Sequence, residues 1–259
     1  MRDLIIALPL WAIMLVLLAL FTGVSFAARE LVRRRCSAEY REELADQAKN
    51  LLTGVAATFG FFVGFAITVT WGGVSAAQTA VEQQAAAVTQ MSRELGNISD
   101  RSQSASLAGQ LRTYAELAAT EDADFLRRGQ ASRLPSTTAL DRFEDALYAY
   151  AYGSQAPARE VPGLTAAATA LETSAAGVSA VANRSLPAPL GALLLFIGAL
   201  ASTVMGITTV AYRRPVLISV WCLIPAVSIA VVLGLAFPFA VRGGFPLAAL
   251  QAVLPGLAG

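Results

Sequence analysis

Few side chains in this sequence are of the types that carry out catalysis or bind metal ions. Histidine, the commonest general base and metal ligand, is absent. The two cysteines differ in setting, with Cys36 in an arginine-rich segment and Cys222 in an apolar run. This arrangement argues against a disulfide and matches no zinc or haem spacing. We therefore expect neither enzyme activity nor a cofactor.

The densest group of carboxylates consists of Glu121, Asp122 and Asp124. Calcium is the ion that such a group would bind, but the segment lacks the central glycine and the terminal bidentate glutamate of a calcium loop. Carboxylates also stabilise the first turn of a helix, where the backbone amides carry partial positive charge. We favour this second interpretation, and no metal site is predicted.

Two regularly spaced series of small and polar residues are the most informative feature of the apolar segments. The first series recurs at intervals of three or four residues and consists of Gly60, Gly64, Thr68, Trp71, Ser75, Gln78 and Glu82. The second is spaced by four and consists of Gly198, Ser202 and Gly206, continuing towards Arg213. Each series therefore lies on one face of a helix. Small residues in a membrane helix indicate contact with another helix, and the alternative is a face that lines a water-filled ion path.

The segments that carry these series are long enough to cross a membrane. Apolar residues make up 56% of the chain and charged residues 14%, against roughly 25% charged in ordinary soluble domains. Residues 4–28, 51–77, 190–211 and 216–241 contain no charged side chain, and each meets the requirement of about 20 residues per span. We predict four transmembrane helices in a bacterial inner membrane. A cleaved signal peptide is the alternative for the first segment, because Ser25-Phe26-Ala27 resembles a cleavage site.

The basic residues predict how these helices are oriented. A loop at 29–50 contains the arginine cluster at 33–35, and the short connection before the fourth span contains Arg213 and Arg214. Basic residues in short loops face the cytoplasm. Both termini and the segment 78–187 are therefore predicted outside the cytoplasm. The net charge of +1 gives no argument for a nucleic-acid partner.

The segment 78–187 has the periodicity of four helices, and we predict an antiparallel bundle. The first helix continues the second span and is predicted to end at Gly96-Asn97, with Gln84 as a polar interruption. The others are predicted to begin near Asp100, at Ser136 as an N-cap and at Pro162, with Thr120 capping a short turn at 122–128. Their inward-facing apolar residues are predicted to be Leu107, Leu111, Tyr114, Leu117, Leu140, Phe143, Leu147, Ala151, Leu164, Leu171, Val178 and Val181.

These elements predict an all-α membrane protein. Residues 1–77 contain transmembrane helices 1 and 2, and residues 78–187 form the bundle inserted between spans 2 and 3. Residues 188–259 contain helices 3 and 4 and a short apolar tail that we expect at the membrane interface. The lipid bilayer and further copies of the chain are the expected partners.

The chain resembles bacterial membrane proteins that carry a bestrophin-like domain. The resemblance lies in the arginine-rich stretch before the glycine-rich segment 54–64, in Trp71, in Val81-Glu82-Gln83, in the long helical insert and in the pair Pro238-Phe239. Bestrophins are pentameric anion channels, so the resemblance implies a channel-like oligomer. It also implies a cytosolic helical domain, opposite to the charge distribution. Phe237 stands where family members tend to carry an acidic residue.

The leading hypothesis is an oligomeric channel that passes small anions along the first residue series, which lies on the second span. No carboxylate lies within a span, which favours anions, and the predicted charges at the pore mouth are Glu82, Arg213, Arg214 and Arg242. The alternative is a sensor or interaction module, because a helical bundle joined to two spans resembles the ligand-binding half of chemoreceptors. An accessory subunit of a larger membrane complex is the third hypothesis.

Overall fold

The computed structural model describes residues 9–153, 156–183, 186–210, 216–239 and 247–257. Within these ranges the chain is helical and contains no strand. The helices are α1 (Leu10–Arg35), α2 (Ala38–Gly96), α3 (Arg101–Thr120), α4 (Asp122–Arg128), α5 (Pro135–Ala151), α6 (Val161–Ala182), α7 (Ala188–Thr208), α8 (Val216–Leu235) and α9 (Ala248–Val253), followed by a 3-10 turn at Leu254–Leu257. The prediction of an all-α protein is confirmed.

Four helices, α1, α2, α7 and α8, are long and apolar enough to cross a membrane, as the sequence predicts. The segment 29–50 differs from the predicted loop, because α1 continues to Arg35 and α2 begins at Ala38. Residues 38–50 contain neither glycine nor proline and are rich in strong helix formers. Glu30 also pairs with Arg33 at 3.0 Å and with Arg34 at 2.8 Å, one turn along α1.

The described residues form two compact units. Residues 9–72 and 186–236 form one, which we name the membrane unit, and residues 73–183 and 237–257 form the other, which we name the helical unit. In the membrane unit, α1 packs against both α7 and α8. Ile13, Leu17 and Phe21 form the buried face of α1, at the spacing of one helical stripe.

The helical unit is built around one apolar core to which α2, α3, α5 and α6 contribute. All the residues predicted to face inward are buried except Leu117, which is half-buried. Asp100 caps α3 by accepting hydrogen bonds from the amides of Ser102 (2.9 Å) and Gln103 (3.2 Å). Gly129 ends α4 with a φ of 75°, a left-handed conformation that favours glycine.

Two predicted caps have other roles. Thr120 belongs to the last turn of α3, where its hydroxyl donates to the Glu116 carbonyl at 2.6 Å. Helix α5 begins at Pro135, and Ser136 lies inside its first turn. The amide and the hydroxyl of Ser136 both donate to the buried Asp122 carboxylate. An acidic residue of α4 therefore caps α5, because the side chain reaches another helix rather than its own first turn.

The C-terminal tail was predicted at the membrane interface, and its described part packs instead within the helical unit. Helix α9 and the 3-10 turn both contact α3. Leu247 and Leu250 are buried in the core, and the Gln251 side-chain amide donates to the Ala119 carbonyl at 3.4 Å. The apolar residues of the tail recur at helical spacing and bury one face against protein.

Candidate functional site

In the membrane unit, the first residue series lies on the exposed face of α2. Gly60, Gly64 and Thr68 are exposed, and 61% of the Trp71 surface is accessible. A Cβ atom added at Gly60 or Gly64 would meet no atom within 4 Å. The buried positions of this span lie on a different face and are Phe59, Val63, Ala66 and Thr70. The exposed surface of this span therefore combines the small residues of the series with large apolar side chains such as Phe61 and Phe65.

The polar groups on this face differ in what they can offer an ion. The Thr68 hydroxyl donates to the Gly64 carbonyl at 3.0 Å, so its oxygen presents lone pairs outward. The Trp71 indole nitrogen, a donor only, makes no hydrogen bond to another described residue. In the helical unit, the continuing residues Ser75, Gln78 and Glu82 are also exposed.

The second residue series is buried between helices of the membrane unit. A Cβ at Gly198 would lie 3.0 Å from the Phe21 ring, and one at Gly206 would lie 2.2 Å from the backbone oxygen of Ser25. Ser202 is fully buried, and its hydroxyl donates to the Gly198 carbonyl at 2.8 Å. These small residues allow α7 to approach α1 at backbone distance.

A further contact holds the end of α7. The Arg29 guanidinium donates to the Thr209 carbonyl at 3.3 Å, and a cation near the last carbonyls of a helix is favourable. The predicted mouth residues Arg213, Arg214 and Arg242 lie outside the described residues.

The sequence analysis missed a polar cluster inside the membrane unit. Cys222 of α8 lies next to the hydroxyls of Ser202, Thr22 and Ser25. The hydroxyl oxygens of Thr22 and Ser25 are buried and make no hydrogen bond of normal geometry within the described part of the chain. Thr22 and Ser25 are three residues apart on α1 and share a face with Phe21. That spacing is the signal that could have predicted the cluster.

The tyrosines at 148, 150 and 152 divide between two faces of α5, as helical spacing requires. Tyr148 and Tyr152 stack with ring centroids 6.0 Å apart, whereas Tyr150 is buried and donates to Glu160 at 2.9 Å. Burial, with the Glu160 hydrogen bond and charge, raises the pKa of Tyr150 to about 12. Hydrogen bonds from Ser99 lower the pKa of Glu160. These groups tie the start of α6 to the rest of the helical unit.

Comparison with known proteins agrees with this arrangement. The Bestrophin-like domain matches residues 9–240. Two crystal structures of variants of a bacterial bestrophin homologue from Klebsiella pneumoniae share the fold. One is 18% identical with a TM-score of 0.66 and covers 95% of this chain and 99% of that chain. The other is 16% identical with a TM-score of 0.70 and covers 96% and 97%. No curated protein matches the chain. The chain therefore belongs to the Bestrophin-like family.

Proposed function

We propose that the protein is a homo-oligomeric ion channel in which the exposed face of α2 lines the ion path. The observation that carries this proposal is the small-residue face at Gly60, Gly64 and Thr68, which no other described part of the protomer covers. Lipid offers no advantage to glycine in a helix, where it costs roughly 1 kcal/mol relative to alanine. A helical face made of glycine hydrogens and a hydroxyl suits a neighbouring backbone or a water-filled path.

The two residue series support different roles in this proposal. The series on α7 is already used within the protomer, since α1 fills the space beside Gly198 and Gly206. The series on α2 is left for copies of the same chain arranged around an axis. A closed ring of identical subunits is the usual way to repeat one contact without open ends.

Small anions are the ions we propose. The spans contain no carboxylate, and Trp71, Ser75 and Gln78 carry N–H or O–H donors on the exposed face of α2. Glu82 is the acidic member of this series and opposes anions by like charge. Anion selectivity should therefore be modest and should depend on Glu82.

The orientation in the membrane is also a proposal. The basic residues of 29–50 favour a cytoplasmic position for the connection between α1 and α2, which puts the helical unit outside. The resemblance to bestrophins implies the opposite, with a cytosolic helical domain. Cysteine labelling, described in the Discussion, distinguishes the two.

Reconstitution into liposomes tests the channel directly. We expect the purified protein to pass chloride, and Thr68→Leu to reduce the flux because leucine narrows and dewets that level of the path. Ser219→Leu changes an exposed hydroxyl position on α8 in the same way and should leave the flux intact. Glu82→Gln should raise the chloride-to-sodium permeability ratio. A folded, oligomeric protein that passes neither chloride, sodium nor potassium would refute the proposal and leave the sensor and accessory-subunit hypotheses.

Assembly can be measured separately from conduction. Gly64→Leu has no neighbour to clash with in the protomer, so the monomer should fold normally. If α2 faces another copy, the leucine should shift the detergent-solubilised particle towards smaller species in a mass measurement. Gly23→Leu, on an exposed and open position of α1, is the matched control. Identical particle masses for both variants and the natural protein would contradict a close contact at Gly64.

A further inference from the structure

The helical unit contains a cavity of about 240 Å³ that the proposed ion path does not use. Its walls come from α2, α3, α4, α5 and α6 and from the residues just before α5. The polar residues among them are Gln84, Tyr114, Asp122, Ser136, Thr137, Asp141, Glu144, Glu172 and Ser179. The cavity opens to solvent, and polar and apolar side chains share its walls.

Carboxylates dominate the charge of this cavity. Asp122 is on α4, Asp141 and Glu144 are on α5, and Glu172 is on α6. The described residues that line the cavity include no lysine or arginine. Asp141 and Glu172 are exposed, whereas Glu144 is half-buried. Neighbouring negative charges favour uptake of a proton by a partly buried carboxyl group.

Two of these carboxyl groups are in contrasting situations. Asp122 is buried, but it accepts hydrogen bonds from the amide and the hydroxyl of Ser136, which favour its charged form. The Oε1 atom of Glu144 is also buried, and it has no hydrogen-bond partner in the described part of the chain. A buried carboxylate oxygen without a donor is costly to keep charged. Glu144 is thus the group with the most to gain from a proton.

The surroundings of Glu144 act in the same direction. Burial raises the pKa of Glu144 from its ordinary value of 4.5, and the charges of Glu172, Asp141 and Asp145 raise it further. Burial also raises the pKa of Asp122, with Glu121 contributing. Burial also raises the pKa of Tyr114, the other titratable wall residue, whose hydroxyl accepts a hydrogen bond from the Gln84 amide nitrogen at 2.6 Å.

We propose that this cavity is a proton-binding site centred on Glu144 and Glu172, which makes the packing of α5 against α6 sensitive to pH. With Glu144 protonated, the two helices approach with one charge fewer between them. With both groups ionised, repulsion across the cavity loosens the contact. A raised pKa in the folded state means that this stabilisation is fully present below the ordinary glutamate value of 4.5 and is lost as pH rises through the raised value.

Hydrogen exchange of the full-length protein in detergent tests the proposal at α5 and α6. After correction for intrinsic exchange chemistry, these helices should exchange faster at pH 8 than at pH 5. Glu144→Gln imitates the protonated side chain and should keep the slow exchange at pH 8 while matching the natural protein at pH 5. Glu116→Gln removes an exposed carboxylate paired with Arg112 and should retain the natural pH dependence.

Three outcomes would overturn the proposal. The first is an unchanged pH dependence in Glu144→Gln. The second is faster exchange than in the natural protein at every pH, which would make Glu144 a structural acceptor only. The third is a change that follows added sodium or calcium rather than pH, which would assign the cavity to a cation. The measurement needs no ion flux, so it stands apart from the channel proposal.

Discussion

Replacement of Gly206 by alanine is the most direct test of how the membrane unit is held together. The added Cβ would lie 2.2 Å from the Ser25 carbonyl oxygen, 2.9 Å from its carbonyl carbon and 3.1 Å from its Cα. All three atoms belong to the backbone of α1, so rotation of a side chain cannot relieve the clash. Helices α1 and α7 must move apart by roughly 1 Å to restore an ordinary contact distance.

The expected cost follows from two opposing terms. Overpacking a tight contact costs about 1–3 kcal/mol, and a clash with fixed backbone belongs near the upper end. Replacing glycine by alanine within a helix stabilises the helix by about 1 kcal/mol. The net loss is therefore about 2 kcal/mol, which corresponds to a fall of roughly 5 °C in the unfolding temperature of a protein of this size.

The protein contains its own reporter for this measurement. Cys222 is fully buried in the membrane unit beside Ser25 and Ser202, so a fluorogenic thiol reagent should react with it on unfolding. Cys36 is partly exposed and should be replaced by serine in every variant. Gly23→Ala is the control, because Gly23 lies on the same helix α1 with open space at its Cβ position.

The unfolding temperatures of the glycine variants decide whether α1 and α7 meet at backbone distance. If Gly206→Ala and Gly23→Ala unfold at the same temperature as the natural protein, the contact between α1 and α7 is looser than described. Gly198→Ala offers an intermediate case, because its nearest neighbours are the Phe21 ring and the Ile229 methyl group at 3.0–3.4 Å. Side chains can shift by a few tenths of an ångström, so its loss should be smaller than that of Gly206→Ala.

Two further predictions concern orientation and capping. If the arginine-rich connection is cytoplasmic, Cys36 in intact cells should not react with an impermeant maleimide. A cysteine introduced by Ser106→Cys on α3, with Cys36 replaced by serine, should react. The reverse pattern would place the helical unit in the cytosol. Asp122→Ala should speed hydrogen exchange at the start of α5, reflecting a loss of about 1–2 kcal/mol, while Asp122→Asn keeps an acceptor for the Ser136 amide and should lose less. If both variants exchange at the rate of the natural protein, the cap does not stabilise the start of α5.

Periodicity in the sequence predicted the core of the helical unit because that core obeys local rules. Residues such as Leu107, Leu111 and Phe143 recur at helical spacing and have one place to be buried. The short turn predicted at 122–128 is followed by Gly129, whose left-handed conformation disfavours other residues. Gln84 interrupts the apolar face of its helix, and a buried amide without a hydrogen bond would be unfavourable. Its side-chain nitrogen donates to the Tyr114 hydroxyl.

Features that depend on distant partners were harder to predict. The arginine-rich segment was assigned to a loop because its charges mark a membrane boundary, yet charge does not oppose a helix. Ser136 has the residue type of an N-cap, but Asp122 of another helix takes that role. The apolar tail has the composition of an interfacial segment, and α3 covers it. In each case the residue types indicate what kind of contact a segment can make, but they do not identify the residues that it contacts.

The two small-residue series also show that the sequence does not identify the partner of a helix face. Gly60 and Gly64 have the same four-residue spacing as Gly198, Ser202 and Gly206. From the sequence alone, either series could be a face where another helix approaches closely. In the protomer α1 approaches the α7 face to backbone distance, while a Cβ at Gly60 or Gly64 would meet no described atom within 4 Å. A helix contact that is complete within one chain stabilises that chain, and one that is left open favours assembly with another. The open face is therefore where substitutions should change assembly or conduction while leaving the fold of the protomer intact.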